Sequence, residues 1–306
     1  MSTQIDRAFV QTYHANIDLA YQQMESRLAP YCRVEQQHAE FDYYDRIGST
    51  DPVEVLTRHG DTPWVETTHD RRRVSLRSFD WNDFIDRPDR MRMLADPTSP
   101  YTRNAIAGFK RRMDDSVIEA AFGTAYTGKI GATSTTFLAA NIIPYDLTEG
   151  TGAAGGTSAN LTVAKLRRAR FLLDSAEADN DGQLKVLICG PSQLESLLAT
   201  LAVTSSDYNT VKALVNGEID TFMGFKFIRS NRLPVASNIR DCLAFVSGTI
   251  LLAKGAEITV RVDERADKRY STQVYVSASF GAVRMWEETI VKIRCDETVL
   301  GGAAFP

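Results

Sequence analysis

The glycine-rich stretch EGTGAAGGTSAN at residues 149–160 has the composition of a phosphate-binding loop. A nucleotide-binding P-loop also requires the sequence G-K-[ST], in which the lysine contacts phosphates and the hydroxyl contacts Mg²⁺, and the stretch lacks it. A dinucleotide-binding loop requires an apolar strand immediately before its glycines, and none precedes this one. We interpret the stretch as a flexible surface loop.

The residue types that carry catalysis or bind metals are present but are not grouped. The four histidines do not follow the H-E-x-x-H spacing, and no G-x-S-x-G nucleophile elbow occurs. The segment DNDGQ resembles half of a calcium loop, but the twelfth position counted from Asp179 is Gly190. The sequence therefore predicts no catalytic residue, no metal and no cofactor, so an enzyme is not expected. The cysteines are too far apart for a zinc site and are predicted to be free thiols: Cys32, Cys189, Cys242 and Cys295.

The densest basic cluster is Arg71-Arg72-Arg73 with Arg77, in a chain of twenty-six arginines and nine lysines. Acidic residues flank the cluster closely, so the sequence favours ion pairs with carboxylates over phosphate binding. These acidic residues are Glu66, Asp70 and Asp80. The formal net charge of −4 argues against tight DNA binding, and any nucleic-acid contact is predicted to be local and weak. A solvated run of charges is the alternative interpretation.

Apolar residues recur at helical spacing near the N-terminus, which predicts an amphipathic helix that ends before Pro30. Such a helix must dock, either on the chain's own core or on a neighbouring subunit. No signal peptide is expected, and no apolar stretch is long enough to span a membrane. The apolar face of the helix comprises Ile5, Phe9, Tyr13, Ile17, Tyr21, Met24 and Leu28.

Residues 41–94 contain many charges and few apolar side chains. Trp64–Thr67 and Val74–Leu76 alternate in polarity and are predicted to be the two strands of a hairpin. A long polar hairpin is marginal alone in water, so we expect it to lie on another molecule. A solvated insertion is the alternative. Deletion of residues 58–90 is expected to leave a folded subunit that cannot assemble.

The rest of the chain predicts an α+β fold. One helix is expected from Ser99, as its N-cap, to Phe122, with a buried stripe at every third or fourth residue. A second is expected from about Leu161 to Ala178, capped by Asn160. The stripe comprises Ile106, Phe109, Met113, Val117 and Ala120 or Ala121, and the opposite, charged face Arg103, Lys110, Arg111, Asp114, Asp115 and Glu119.

The segment LKVLIC, residues 184–189, is predicted to be a buried strand. A capping-box sequence at Ser192–Glu195 is predicted to open a third helix after it. The last third of the chain alternates in polarity and predicts half-buried antiparallel strands.

This order of elements resembles that of the Hong Kong 97-like major capsid proteins of tailed phages. The sequence GEIDTFMGFKFIRSNRLP, from residue 217, is similar to their G-x-x-x-x-x-x-G-F-x-x-x-x-S-x-x-[LP] stretch, and ASFGAVRMWEETIVKIRCDE, from residue 278, to their C-terminal segment. The resemblance implies an N-terminal arm at residues 1–45, an E-loop at 46–92 and a P-domain with a spine helix at 93–160. It also implies an A-domain at 161–241 and P-domain strands with the C-terminus at 242–306.

By this resemblance, the chain is expected to self-assemble into an icosahedral head shell that encloses phage double-stranded DNA. The implied partners are other copies as hexamers and pentamers, a separate scaffolding protein, a portal, and weakly contacted DNA, but no membrane. The implied location is the virion capsid, assembled in the host cytoplasm. An encapsulin-like nanocompartment shell protein and a cytosolic α/β enzyme remain alternatives. Candidate inter-subunit contacts are Arg71, Arg72, Arg73, Arg77, Glu66, Asp70, Trp64, Phe9 and Ile17.

Overall fold

A computed structural model describes residues 21–54, 56–58, 60–86, 98–147, 158–177, 182–201 and 221–299. Helices and strands alternate along this part of the chain in an α+β arrangement. The helices are α1 (Thr98–Phe122), α2 (Val163–Ser175) and α3 (Pro191–Leu201). The strands are β1 (Arg33–Gln36), β2 (Phe41–Ile47), β3 (His69–Ser75), β4 (Arg77–Ile85), β5 (Ala125–Thr127), β6 (Thr133–Thr135), β7 (Ile142–Ile143), β8 (Lys185–Cys189), β9 (Thr221–Phe222), β10 (Phe225–Arg229), β11 (Val235–Ala236), β12 (Ile239–Val246), β13 (Ile250–Arg265), β14 (Ser271–Arg284) and β15 (Ile290–Asp296).

The chain divides into two compact units. The smaller unit holds the described parts of Met1–Glu25, Ser78–Arg112 and Ala256–Ser279, and so contains most of β4 and the distal parts of β13 and β14. The distal residues of β13 are largely exposed and half of them are charged, whereas Ser271–Ser279 of β14 are buried or half-buried and carry no charge. The larger unit holds the described parts of Ser26–Arg77, Met113–Gly255 and Phe280–Pro306, together with the main apolar core.

A seven-stranded sheet forms the core of the larger unit, with strand order β7-β15-β12-β8-β10-β9 and β11 paired to β12. The predicted strand LKVLIC is confirmed as β8, and its residues Val186 to Cys189 are fully buried. Strands β8 and β10 are parallel, whereas β12 is antiparallel to both β8 and β15. A strand buried on both faces is continuously apolar, which explains the sequence of β8. The strands predicted for the last third of the chain are present as β10 and β12 to β15.

A second, antiparallel sheet of the larger unit has the strand order β2-β3-β5-β6. The predicted hairpin partner of β3 was wrong, because β3 pairs with Phe41–Ile47 over seven residues and Trp64–Thr67 is not a strand. Phe41–Ile47 provides an uninterrupted set of backbone donors and acceptors, whereas Pro63 removes a donor beside Trp64.

The predicted spine helix is confirmed as α1, which begins at Thr98, so that Ser99 lies inside the helix and is not its N-cap. Phe109, Met113 and Val117 are buried as predicted, whereas Ile106 is only half-buried. Asp114 was predicted to face solvent, but it is buried and accepts hydrogen bonds from the backbone nitrogens of Arg27 and Leu28 at 3.1 and 3.2 Å.

The N-terminal helix prediction fails in the part of the segment that the structure describes. Residues Tyr21–Leu28 are non-helical and lead into a 3-10 turn at Ala29–Tyr31. The backbone here donates to Asp114 and not to its own carbonyls, which explains the loss of helix. Residues 1–20, including the candidate contacts Phe9 and Ile17, lie outside the described residues.

The starts of α2 and α3 differ slightly from the predicted ones. Thr162 is the N-cap of α2 and accepts from the Lys165 nitrogen, whereas the Asn160 side chain accepts from the Leu161 nitrogen. Helix α3 begins at Pro191, so Ser192 is in its first turn. The Gly190 nitrogen there donates to Gln193 Oε1 at 3.0 Å. No described helix is both long enough and apolar enough to cross a membrane.

Lys165 joins α2 to two other segments from a fully buried position. Its Nζ donates to the carbonyl oxygens of Tyr145, Ala159 and Arg294 at 2.9, 2.6 and 3.0 Å. Burial lowers the pKa of Lys165 from its ordinary value. Lys165→Met is expected to lower the free energy of unfolding by about 1–3 kcal/mol, because three buried acceptors lose their donor. Urea denaturation measures this, with Arg167→Met at an exposed position of the same helix as the neutral control.

Gly281 in β14 marks a close approach of two backbones. A Cβ at this position would overlap the carbonyl oxygen of Ser75. Gly281→Ala is expected to destabilise the larger unit by about 1–3 kcal/mol, because backbone cannot move aside as a flexible side chain can. Gly248→Ala is a useful comparison, since its Cβ meets nothing within 4 Å although its φ of +84° is also unfavourable. Thermal unfolding should rank Gly281→Ala below Gly248→Ala, and the opposite order would contradict the packing argument.

Candidate assembly interface

Strand β3 divides the arginine cluster between the two faces of its sheet. Successive side chains of a strand point to opposite faces, so Arg71 and Arg73 lie on one side and Arg72 on the other. Arg72 is fully buried, Arg73 is half-buried and Arg71 is exposed. The cluster that looked continuous in sequence is therefore two separate sites.

On the inner face, three arginines surround Glu287. The Glu287 carboxylate pairs with Arg72 Nη2, lies 3.3 Å from Arg46 Nη1 and lies 3.7 Å from Arg284 Nε. Burial lowers the pKa values of Arg72 and Arg284, and the negative charge of Glu287 opposes this effect. Arg72 thus has an internal contact and does not face a neighbouring subunit.

The neighbouring carboxylate Asp70 also binds within the chain. It pairs with Arg46, and its Oδ1 accepts from the Gly128 nitrogen at 3.3 Å. Partial burial raises the pKa of Asp70, but the hydrogen bonds from Arg46 and from the backbone outweigh burial and hold that pKa below its usual value. Asp70 helps to join β3 to the turn after β5.

On the outer face, Arg71 and Arg73 have different surroundings. Arg71 Nε lies 2.5 Å from Asp45 Oδ1 in an exposed ion pair. The Arg73 guanidinium lies 5.2 Å from the ring centre of Phe41 and 4.6 Å from that of Tyr126. Exposed aromatic and aliphatic side chains share this face, which we call the outer β-face: Phe41, Tyr43, Ile47, Arg71, Arg73, Tyr126 and Ile130. Aromatic residues and arginine are enriched in the centres of protein interfaces.

The connection between β2 and β3, residues 48–68, carries exposed apolar side chains. Trp64 is 90% exposed and Leu56 83% exposed. The Gly48 nitrogen donates to the Thr68 carbonyl at 3.0 Å, which closes the base of the loop, and no described residue between them is in a helix or strand. A loop of this length without regular structure is uncommon in a compact domain unless it has a function. We call residues 48–68 the tip loop.

Two of the predicted contact residues, Trp64 and Glu66, lie on the tip loop, and both are exposed. Arg77, a third predicted contact residue, lies at the start of β4 and pairs with Glu119 on α1 at 3.2 Å. Sequence reasoning missed Phe41, Tyr43 and Tyr126. The alternation of FDYYDRI, which sets Phe41, Tyr43 and Asp45 on one face of β2, could have found the first two.

The geometry of this chain is similar to that of several solved phage shells. The "Capsid of Ralstonia phage GP4" matches with a TM-score of 0.73 and 11% identity, over 94% of this chain and 95% of that one. "Cyanophage Pam1 capsid asymmetric unit" matches with a TM-score of 0.69 and 13% identity, over 97% and 98%. "Acidic stable capsid structure of Helicobacter pylori bacteriophage KHP30" matches with a TM-score of 0.64 and 10% identity, over 97% and 98%. No curated protein sequence gave a match.

The fold is therefore that of a viral shell subunit of the Hong Kong 97-like type, as predicted from the order of the elements. The family model described as "Phage capsid protein" matches residues 5–297, and the chain belongs to this family. It is a major capsid protein, which forms the head shell. Among the described residues, no group of three or more His, Cys, Asp or Glu side chains could hold a metal ion.

Proposed function

We propose that copies of this chain form hexamers and pentamers that build an icosahedral head around double-stranded DNA. The exposed, apolar tip loop is the observation that carries this proposal, because Trp64 and Leu56 have no cover in the described chain. A closed shell requires many repeated contacts between identical surfaces. An apolar loop that gains its cover only on a neighbour supplies such a contact.

The charge of the chain supports loose contact with the packaged DNA. A formal net charge of −4 keeps free subunits soluble and gives no broad basic surface for phosphate binding. A separate scaffolding protein and a portal complete the proposed set of partners, with assembly in the host cytoplasm. The five-part division into arm, E-loop, P-domain, A-domain and returning strands also belongs to this proposal.

Within the E-loop proposed for residues 46–92, we propose that the tip loop is the part that contacts a neighbour. The run 58–90 contains β3, and β3 supplies the buried side chains Arg72 and Val74. Its deletion would remove core residues, so the expectation of a folded deletion variant does not hold for that run. The tip loop alone can be removed without loss of described core residues.

Negative-stain electron microscopy with size-exclusion chromatography of the purified recombinant protein tests the proposed assembly. Uniform closed shells, or particles of hexamer and pentamer size, are expected. A species that stays monomeric or dimeric even with the scaffolding protein of its own phage co-expressed would contradict the proposal. A cellular nanocompartment would give similar recombinant shells, so particles isolated from the native source separate the two, because a phage head then contains double-stranded DNA and a portal.

A further inference from the structure

Arg73 has a geometry that suits an anion receptor. The rings of Phe41 and Tyr126 lie near its guanidinium group, at 5.2 and 4.6 Å. Gly131 packs against its stem, since a Cβ there would lie 2.7 Å from Arg73 Cδ. These contacts restrict the side chain before any partner arrives, so that binding loses little conformational freedom.

The hydrogen-bonding edge of Arg73 has no carboxylate within ion-pair distance among the described residues. Two other arginines of the cluster do have such a carboxylate. Arg71 pairs with Asp45, and Arg77 pairs with Glu119. A planar guanidinium with a free edge binds a carboxylate through two parallel hydrogen bonds. Arg73 is thus the member of the cluster that is arranged for an external anion.

A concave pocket of about 290 Å³ adjoins Arg73. Its lining includes Ser75, Thr124, Tyr126 and Gly281, together with Arg77 and Glu119, whose charges pair with each other at 3.2 Å. The pocket and the outer β-face together offer a cation, hydroxyl donors and exposed rings within a few ångströms of one another. Their ideal ligand is a short peptide with a carboxylate and an aromatic side chain on one side.

The tip loop carries such a peptide. Trp64 and Glu66 are two residues apart, so an extended Trp64-Val65-Glu66 segment presents both side chains on the same side, about 7 Å apart. Both are exposed. The loop as a whole is acidic, with four carboxylates (Asp51, Glu54, Asp61 and Glu66) and one arginine (Arg58). Its charge therefore complements that of Arg73.

The stretch of chain between Glu66 and Arg73 is short, which favours a second copy of the chain as the source of this peptide. Glu66 lies three positions before His69, a separation of about 10 Å at most. Arg73 lies about 13 Å from His69 along β3, in the direction away from the loop. Contact within one chain would require the loop to reverse fully onto its own strand.

We propose that Glu66 of one subunit binds Arg73 of a neighbouring subunit, with Trp64 packed on the Phe41 and Tyr126 rings. This inference rests on the proposed function, since it names the acceptor of the tip loop in the shell. The pair is a bidentate ion pair at the centre of an aromatic contact. The ion pair sets the register of the loop, and the indole contributes apolar area.

A charge exchange tests the pair directly. Arg73→Glu and Glu66→Arg should each abolish closed shells in electron microscopy and sedimentation, because like charges then face each other. The double variant Arg73→Glu/Glu66→Arg should restore shells. Arg167→Gln, at an exposed position of α2 outside the outer β-face, is the control and should assemble like the wild type.

The thermal unfolding temperature of each variant shows whether loss of shells reflects assembly or folding. If Arg73→Glu does not fold, Arg73→Gln replaces it, with loss of shells again expected. If the wild type and both single variants all form closed shells, the proposed contact between Glu66 and Arg73 is wrong, whereas the proposed function is not affected. A folded double variant that fails to assemble would also overturn it. Failure of the wild type itself, with its scaffold present, is the separate result that removes the proposed function.

Discussion

Glu287→Gln is expected to lower the free energy of unfolding by about 3–5 kcal/mol, the range for removal of one partner from a buried ion pair. Arg72 and Arg284 are fully buried, and Arg46 is 13% exposed. Glu287 is the carboxylate within ion-pair distance of all three in the described chain. Without it, Asp70 would still pair with Arg46, but Arg72 and Arg284 would lose their carboxylate partner in a poorly solvated site.

The backbone contacts of these arginines cannot replace the lost charge. Arg46 Nη1 donates to the Met285 carbonyl at 2.7 Å, and Arg284 Nη2 donates to the Thr135 carbonyl at 2.7 Å. These hydrogen bonds hold the guanidinium groups in place, but a carbonyl oxygen has no net charge and cannot neutralise a guanidinium group. The neighbouring carboxylate Glu288 is exposed, so Glu288→Gln is the matched control. Chemical denaturation of both variants should separate them by several kcal/mol, and near-equal stabilities would show that solvent, and not Glu287, neutralises the three arginines.

Removal of the tip loop is expected to abolish shell assembly while the subunit stays folded. Residues 49–67 can be replaced by Asn-Gly, which favours the tight turn that joins antiparallel strands. The pairing of β2 with β3 continues to Ile47 and His69, so the shortened hairpin keeps its register. What is lost is exposed apolar surface, mainly Leu56 and Trp64. Size-exclusion chromatography and electron microscopy measure the assembly, and circular dichroism measures the fold.

A second loop variant separates loop length from loop chemistry. In this variant Leu56 and Trp64 are both replaced by serine, while every carboxylate of the loop is kept. Loss of shells is again expected, because the apolar contact area disappears. Normal shells from the Asn-Gly deletion would mean that the loop has no part in the shell.

The elements with strong periodicity could be predicted from the sequence. The stripe of α1 repeats over about four turns, and the run LKVLIC has no polar residue after Lys185, so both patterns had one structural solution. The partner of β3 was harder, because the nearest alternating segment, Trp64–Thr67, competed with Phe41–Ile47 and sequence distance alone does not decide pairing. The hydrogen bonds to Asp114 and the Arg72–Glu287 ion pair join residues 86 or more positions apart along the chain, which a local pattern does not contain.

The arginine cluster shows the same limit at the candidate interface. Its sequence predicted ion pairing with flanking acidic residues, whereas the partners of Arg71, Arg72 and Arg77 within the chain are the more distant Asp45, Glu287 and Glu119. Whether any member reaches a neighbouring subunit stays a prediction. The distinction between Arg72 and Arg73 follows from strand alternation, but which face is buried follows from the position of Glu287, and only the three-dimensional structure gives that position.

A cryo-electron microscopy map of the assembled shell, at a resolution that shows side chains, tests the central claim most directly. The account predicts that the tip loop of each subunit lies on the outer β-face of a neighbour, with Glu66 density joined to that of Arg73 and the Trp64 indole against Tyr126. A map in which the tip loop lies on its own subunit, or projects into solvent while the shell is closed, would contradict it.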